Sequence, residues 1–142
     1  MASFSWPYHL DLPVRFRDVD AYGHVNNAVY FTYLEQARCE CYMALLSRND
    51  PCHQEEGLDF VVARAECDYV APIHAGDVIR VEVRPSAVGT KSFAFAYEMT
   101  VDGTVRATGS TVLVAYEHRE RQTKPLPAEL AEELRAGLPD HA

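Results

Sequence analysis

Residues 28–47 contain neither glycine nor proline, and they stand alone among segments that alternate apolar and polar residues. A chain with one helical stretch and many strands has few ways to cover its apolar faces. Within that stretch Tyr30, Phe31, Tyr33, Leu34, Ala37, Cys41, Ala44 and Leu45 occupy much of the circumference. The spacing therefore predicts a helix buried on several sides. Asn26 or Asn27 is its natural N-cap.

Ahead of the helix, Leu10, Leu12, Val14 and Phe16 alternate with His9, Asp11, Arg15 and Arg17, which predicts a strand over 9–17. Pro13 marks it as an edge strand or a bulged one. Residues 48–58 are polar and read as a loop. From 60 to 71 a second strand puts Ala63, Ala65, Cys67 and Tyr69 on one face, and Pro72 closes it. His74-Ala-Gly-Asp77 is a turn, and strands follow over 78–88 and 92–101, separated by Gly89-Thr-Lys91. Asp102-Gly103 is a hairpin signal, leading to a strand over 104–116 with Val105, Ala107, Leu113 and Ala115 on one face. Lys124-Pro-Leu-Pro127 stops the sheet and opens a short amphipathic helix, about 127–137, with Leu130 and Leu134 together.

The expected order is one strand, one long helix, then a meander of four strands. The class is α+β, and a helix buried on many sides implies an antiparallel sheet wrapped around it. The 142 residues carry no repeat and no linker, so 1–142 reads as a single domain.

A net charge of -8 argues against nucleic acid as a partner, although a local basic patch could still hold a phosphorylated ligand. No apolar run approaches the roughly 20 residues a membrane-spanning helix needs. Residues 1–9 lack the basic start and apolar stretch of a signal peptide. Cys39, Cys41, Cys52 and Cys67 form no CxxC pair and read as buried thiols of a cytoplasmic protein. His9, His53, His74, His118 and His141 show no ligand spacing, so neither a metal nor a cofactor is expected.

The chemistry concentrates at the junction of the first strand and the helix, Arg15-Phe-Arg-Asp-Val-Asp-Ala-Tyr-Gly-His-Val-Asn-Asn-Ala-Val-Tyr30. An acid, a histidine and two asparagines meet there beside the unpaired N–H groups of a helix start. That combination is suited to attack on a carbonyl.

Phe16-Arg-Asp-Val-Asp20, Gly23-His-Val-Asn-Asn27, Tyr30 and Tyr33-Leu-Glu-Gln-Ala-Arg38 together resemble the signature of acyl-CoA thioesterases of the 4-hydroxybenzoyl-CoA thioesterase-like group. Pro72-Ile-His-Ala-Gly-Asp-Val-Ile-Arg-Val-Glu-Val83 resembles the turn and strand that the group places next. The likeness runs from about Leu10 to Leu134. It implies a hotdog fold, a homodimer joined sheet edge to sheet edge with active sites at the subunit boundary, and in some members a tetramer of paired dimers.

The same resemblance assigns roles. Asp20 matches the acid that acts on the thioester, as nucleophile or as general base, with partial desolvation at the subunit boundary making it reactive. Asn27 matches the residue whose backbone N–H polarises the carbonyl. His24 orients water, contacts the substrate or hydrogen-bonds across the dimer. Asp18 is a structural acid; Glu35, at i to Arg38 at i+3, is either half of an ion pair or a reserve catalytic acid. Tyr30, Phe31 and Met99 neighbour an acyl pocket, and Lys91, Arg64 and Arg84 are candidates for coenzyme A phosphates.

The implied activity is hydrolysis of an acyl- or aryl-CoA to the free acid and coenzyme A. Three alternatives stand beside it: release of an acyl or polyketide chain from a carrier protein, an enoyl-thioester hydratase, and a non-catalytic acyl-CoA-binding module. The hydratase is weakened because its longer Asp–His motif is not visible.

Overall fold

The structure is a computed structural model and describes residues 4–45 and 58–139. Residues 48–57 of the polar loop expected at 48–58, with Cys52 and the last two residues of the expected helix, lie outside the described residues, and residue 58 opens a strand. Eight elements follow in chain order: β1 (Tyr8–Pro13), α1 (Val29–Leu45), β2 (Leu58–Tyr69), β3 (Val78–Val88), β4 (Ser92–Val101), β5 (Thr104–Glu117), β6 (Gln122–Thr123) and α2 (Ala128–Ala136). All strand pairs are antiparallel.

The strands lie in the order β1-β3-β4-β5-β2, with β6 paired to β5. This corrects the expected meander of four. Of those four strands β3, β4 and β5 are consecutive neighbours, whereas β2 crosses to the far edge beside β5. Turn signals at Gly89-Thr-Lys91 and Asp102-Gly103 specify hairpins; residues 70–77 between β2 and β3 are long enough to leave the sheet edge instead. At the Asp102-Gly103 turn both residues have positive φ, 50° and 79°, the conformation a two-residue hairpin requires.

The expected strand over 9–17 ends early. Its last ladder residue is Pro13, paired with Val78 at the sheet edge. Phe16–Asp18 then form one 3-10 turn. The Asp18 carboxylate accepts the Arg15 backbone N–H at 3.0 Å, which closes that turn and outcompetes the extended conformation.

Alternation places Ile79, Val81, Val83, Phe93, Phe95, Tyr97, Met99, Leu113 and Ala115 on the buried face. Three bulges interrupt it, between Val62 and Arg64, between Pro85 and Ala87, and on β5 where Arg106 is left between Val105 and Ala107. Each inserted residue moves later side chains to the other face. Val105 therefore lies opposite Thr100 while Ala107 lies opposite Met99, so the two do not share a face as the simple period implied. On β2, Phe60 and Val62 face Ala115 and Leu113, and beyond Ala63 the register resumes with Ala65 opposite Thr111.

Helix α1 packs on this sheet through Tyr30, Tyr33, Leu34, Ala37, Arg38 and Cys41. Its opposite side, with Phe31, Thr32, Glu35 and Gln36, is exposed, so burial on several sides does not hold within one chain. Gly109 allows the close approach: a Cβ there would meet Leu34 Cδ1 and the Glu66 carbonyl oxygen, each at 3.0 Å. Helix α2 closes one end of the core with Leu130, Ala131 and Leu134. No described helix is long and apolar enough to cross a membrane.

Candidate active site

The junction is built on Asp18, which is 2% exposed. Its carboxylate takes the Arg15 guanidinium at 3.1 Å and the Tyr33 hydroxyl at 2.8 Å. Burial alone would raise its pKa. The Arg15 side-chain and backbone donors and the Tyr33 hydroxyl outweigh that, and hold Asp18 below the usual carboxylate range. Burial, and then the adjacent carboxylate, push Tyr33 far above an ordinary phenol. The Asp18 carbonyl also accepts the Asn26 N–H at 2.9 Å, so one residue ties the 3-10 turn to the start of α1.

Two residues on, Asp20 closes a tight loop. Its N–H donates to the His24 carbonyl at 2.7 Å, and its own carbonyl accepts the Gly23 N–H at 3.1 Å. Asp20 Oδ1 accepts the Tyr22 and His24 backbone N–H groups at 2.8 and 3.2 Å. Gly23, at φ +78°, supplies the left-handed residue that the reversal needs. The Asp20 side chain is exposed in the single chain. Among the described residues no donor reaches Asp20 Oδ2.

The helix start follows at once. Asn26 is the capping residue, its Oδ1 accepting the Ala28 N–H at 3.0 Å. The Asn27 backbone N–H has no acceptor among the described residues. Its carbonyl accepts the Tyr69 hydroxyl at 2.9 Å.

Asp20, His24, Val25, Asn27 and Tyr30 form one side of a cleft of about 390 Å³; Tyr69, Val70, Ala71 and Pro72 form the other. The Tyr30 and Tyr69 rings meet edge to face at 4.8 Å. Burial raises the Tyr30 phenol above its ordinary value. The opposite wall hangs on Arg106, whose carbonyl accepts the Val70 and Ala71 N–H groups at 2.9 and 3.0 Å, and whose guanidinium donates to the Pro72 carbonyl at 2.8 Å.

Four of the sequence candidates, Asp20, His24, Asn27 and Tyr30, are thus brought together. Phe31 is 38% exposed beside them and does not line the cleft. Lys91 sits at the far turn against the Thr123 hydroxyl, Arg64 pairs with Glu66 on β2, and Arg84 is exposed on β3. Met99 lies wholly in the core. Glu35 approaches Arg38 only to 3.9 Å and is absent from the cleft lining. Tyr69, Val70 and Ala71 were not singled out from the sequence as site residues. They end a strand, and the one signal available, the Pro72 stop, marks where a strand ends but not what lies opposite it.

Among the described residues no group of three or more His, Cys, Asp or Glu side chains could hold a metal ion. The arrangement suits attack on an electrophilic carbon. A carboxylate oriented by two backbone N–H groups and an unused N–H at the positive pole of a helix share one cleft.

Residues 14–134 match the model of the thioesterase-like superfamily. The 1,4-dihydroxy-2-naphthoyl-CoA hydrolase of Synechococcus elongatus is 28% identical over 132 residues, covering 89% of this chain and 94% of that protein. The acyl-CoA thioesterase YbgC of Haemophilus influenzae is 30% identical over 112 residues, 79% of each chain. A Thermus thermophilus thioesterase, solved in complex with coenzyme A and zinc, is 38% identical, with a TM-score of 0.78 over 90% of this chain and 91% of that one.

Proposed function

The chain belongs to the thioesterase-like superfamily, its reaction is hydrolysis of an acyl-CoA thioester, and we propose that Asp20 and the Asn27 backbone amide carry that reaction. The observation behind the assignment is that both line one cleft at the start of α1. In this reading the thioester carbonyl oxygen accepts the Asn27 N–H, a donor otherwise unused among the described residues. Asp20 either attacks the carbonyl carbon or takes the proton of an attacking water. The tetrahedral intermediate collapses with cleavage of the C–S bond. Coenzyme A leaves as the thiolate and takes up a proton. On the general-base route the free acid forms in that step; on the nucleophilic route water then hydrolyses the Asp20–acyl anhydride to the acid and restores the carboxylate.

His24 contacts the attacking water or the substrate. Tyr30 forms the wall on which an acyl or aryl group packs, with Phe31 next to it on the open face of α1. Lys91, Arg64 and Arg84 remain the cations assigned to the phosphates of coenzyme A, and each stands outside the cleft of its own chain. Arg64 is on edge strand β2, where a second chain joining that edge would meet it.

We further infer a single hotdog domain whose sheet wraps α1 as its central helix, assembled as a homodimer along β2 and able to pair into a tetramer. Two features support the dimer. Strand β2 is twelve residues long with no partner on its outer edge among the described residues. Val62, Tyr69 and Val70, on β2 and just beyond it, are 46%, 47% and 62% exposed. A long apolar edge of this kind invites pairing. A second chain on that edge would also desolvate Asp20. The buried Cys41 thiol accords with the cytoplasmic location we infer.

Thiol release from a panel of acyl- and aryl-CoA substrates tests the mechanism. Asp20→Asn is expected to lower kcat at least about 100-fold while the protein stays folded. Unchanged turnover on the best substrate would remove Asp20 from the reaction.

A further inference from the structure

His74 is not part of the cleft lining, yet it touches the one cleft residue whose role is least defined. The turn His74-Ala-Gly-Asp77 is stitched to the Asp20 loop by backbone bonds: Val25 N–H to the Ile73 carbonyl at 2.8 Å, and Ala75 N–H to the Gly23 carbonyl at 3.1 Å. Those two bonds make a short antiparallel bridge with His24 opposite His74. Opposed residues in such a bridge hold their side chains on one face, close enough to pack. The two imidazoles accordingly meet edge to face, with centroids 5.0 Å apart and planes at 79°.

His74 is itself held. Its backbone N–H donates to Asp77 Oδ2 at 2.8 Å, and its Nδ1 lies 3.7 Å from the same oxygen. Gly76, at φ +86°, closes the turn, and the Asp77 carbonyl accepts the Val14 N–H at 2.9 Å. Among the described residues, the carboxylates hydrogen-bonded to the main chain of the pair are Asp20, whose Oδ1 takes the His24 N–H, and Asp77, whose Oδ2 takes the His74 N–H.

We propose that His74 is a positioning residue for the reaction: its ring, carried on a turn whose main chain is held by Asp77 and by the bridge to the Asp20 loop, sets the orientation of the His24 imidazole at the cleft. An imidazole free to rotate about its terminal torsion presents its two nitrogens to the substrate in a mixture of orientations. Packing one ring against it removes that freedom, and small errors in orientation are costly to rate. Ring packing carries the effect, so an aromatic ring without nitrogens serves at position 74 and a methyl group does not.

This rests on the thioesterase reading above, and three measurements keep the two separable. In the wild-type protein, nuclear Overhauser effects between the ring protons of His24 and His74 are expected; their absence overturns the proposal without any activity measurement. In thiol-release assays His74→Ala is expected to lower kcat about 5- to 15-fold with KM within twofold, and His74→Phe to return kcat to within about twofold of wild type. A His74→Ala enzyme as fast as wild type, in a preparation where Asp20→Asn is inactive, sinks the positioning role and leaves the thioesterase reading intact. So does a loss that His74→Phe fails to recover. A wild-type protein with no turnover on any thioester sinks the reading instead.

Discussion

Tyr33, on the first turns of α1, donates its hydroxyl to the carboxylate of Asp18, 15 residues earlier in the chain, at 2.8 Å. That bond, with the Arg15 pair, fixes the segment leading into the Asp20 loop against the helix that follows it. The negative charge of Asp18 is what both donors bind.

Asp18→Asn keeps the shape and removes the charge, and is expected to destabilise the fold by about 1–3 kcal/mol at neutral pH. The pH dependence has a definite sign. The folded-state pKa of Asp18 is depressed, so its contribution is complete above the unfolded value of about 3.9 and fades as pH falls through the folded value. Urea denaturation at pH 7 and pH 3 checks this. The gap between wild type and Asp18→Asn should be wider at pH 7 than at pH 3, and a gap independent of pH contradicts it.

Gly109→Ala should be destabilising although alanine suits a sheet better than glycine. Its Cβ would lie 3.0 Å from both Leu34 Cδ1 and the Glu66 carbonyl oxygen. Overpacking of this kind costs about 1–3 kcal/mol. Combined with Leu34→Ala the two losses should sum to less than their separate values, because the second change vacates half of the clash. Full additivity in thermal or urea unfolding would show that the backbone contact alone decides.

Arg106→Met separates stability from substrate handling. The variant loses the bond to the Pro72 carbonyl, but it also removes a buried Nε–H that has no acceptor. These offset one another, so unfolding free energy should stay within about 1 kcal/mol of wild type. The Val70–Pro72 wall loses its side-chain anchor, and KM for acyl-CoA should rise about 3- to 10-fold. A KM equal to wild type would mean that the backbone bonds to residue 106 suffice.

Much of this fold is written in alternation, and it fails where the register shifts. Strands β3 and β4 could be read residue by residue because their buried faces keep period two through Ile79–Val83 and Phe93–Val101. The bulge at Arg106 could not, since an inserted residue has no compositional mark, and it is the bulge that supports one wall of the cleft. The placement of β2 beside β5 depends on pairing between distant segments, which local pattern does not encode. At the candidate site, the grouping of Asp20, His24 and Asn27 was legible because they are close in sequence. Tyr69 and His74 reach the same place from residues some 40 to 50 positions further on. Tyr33 was read as core, correctly for its ring and incompletely for its hydroxyl.

The wall Val70–Pro72 is held at its main chain, by the two N–H groups bonded to one carbonyl and by the guanidinium on the Pro72 oxygen. None of those bonds uses the side chain of Val70 or Ala71. Exchange of either residue therefore redraws the contour that an acyl group meets while the backbone beneath stays put, and the Asp20 loop keeps its own hydrogen bonds throughout. If the acyl group lies in this cleft as proposed, substrate range is free to drift by single substitutions that leave the chemistry untouched.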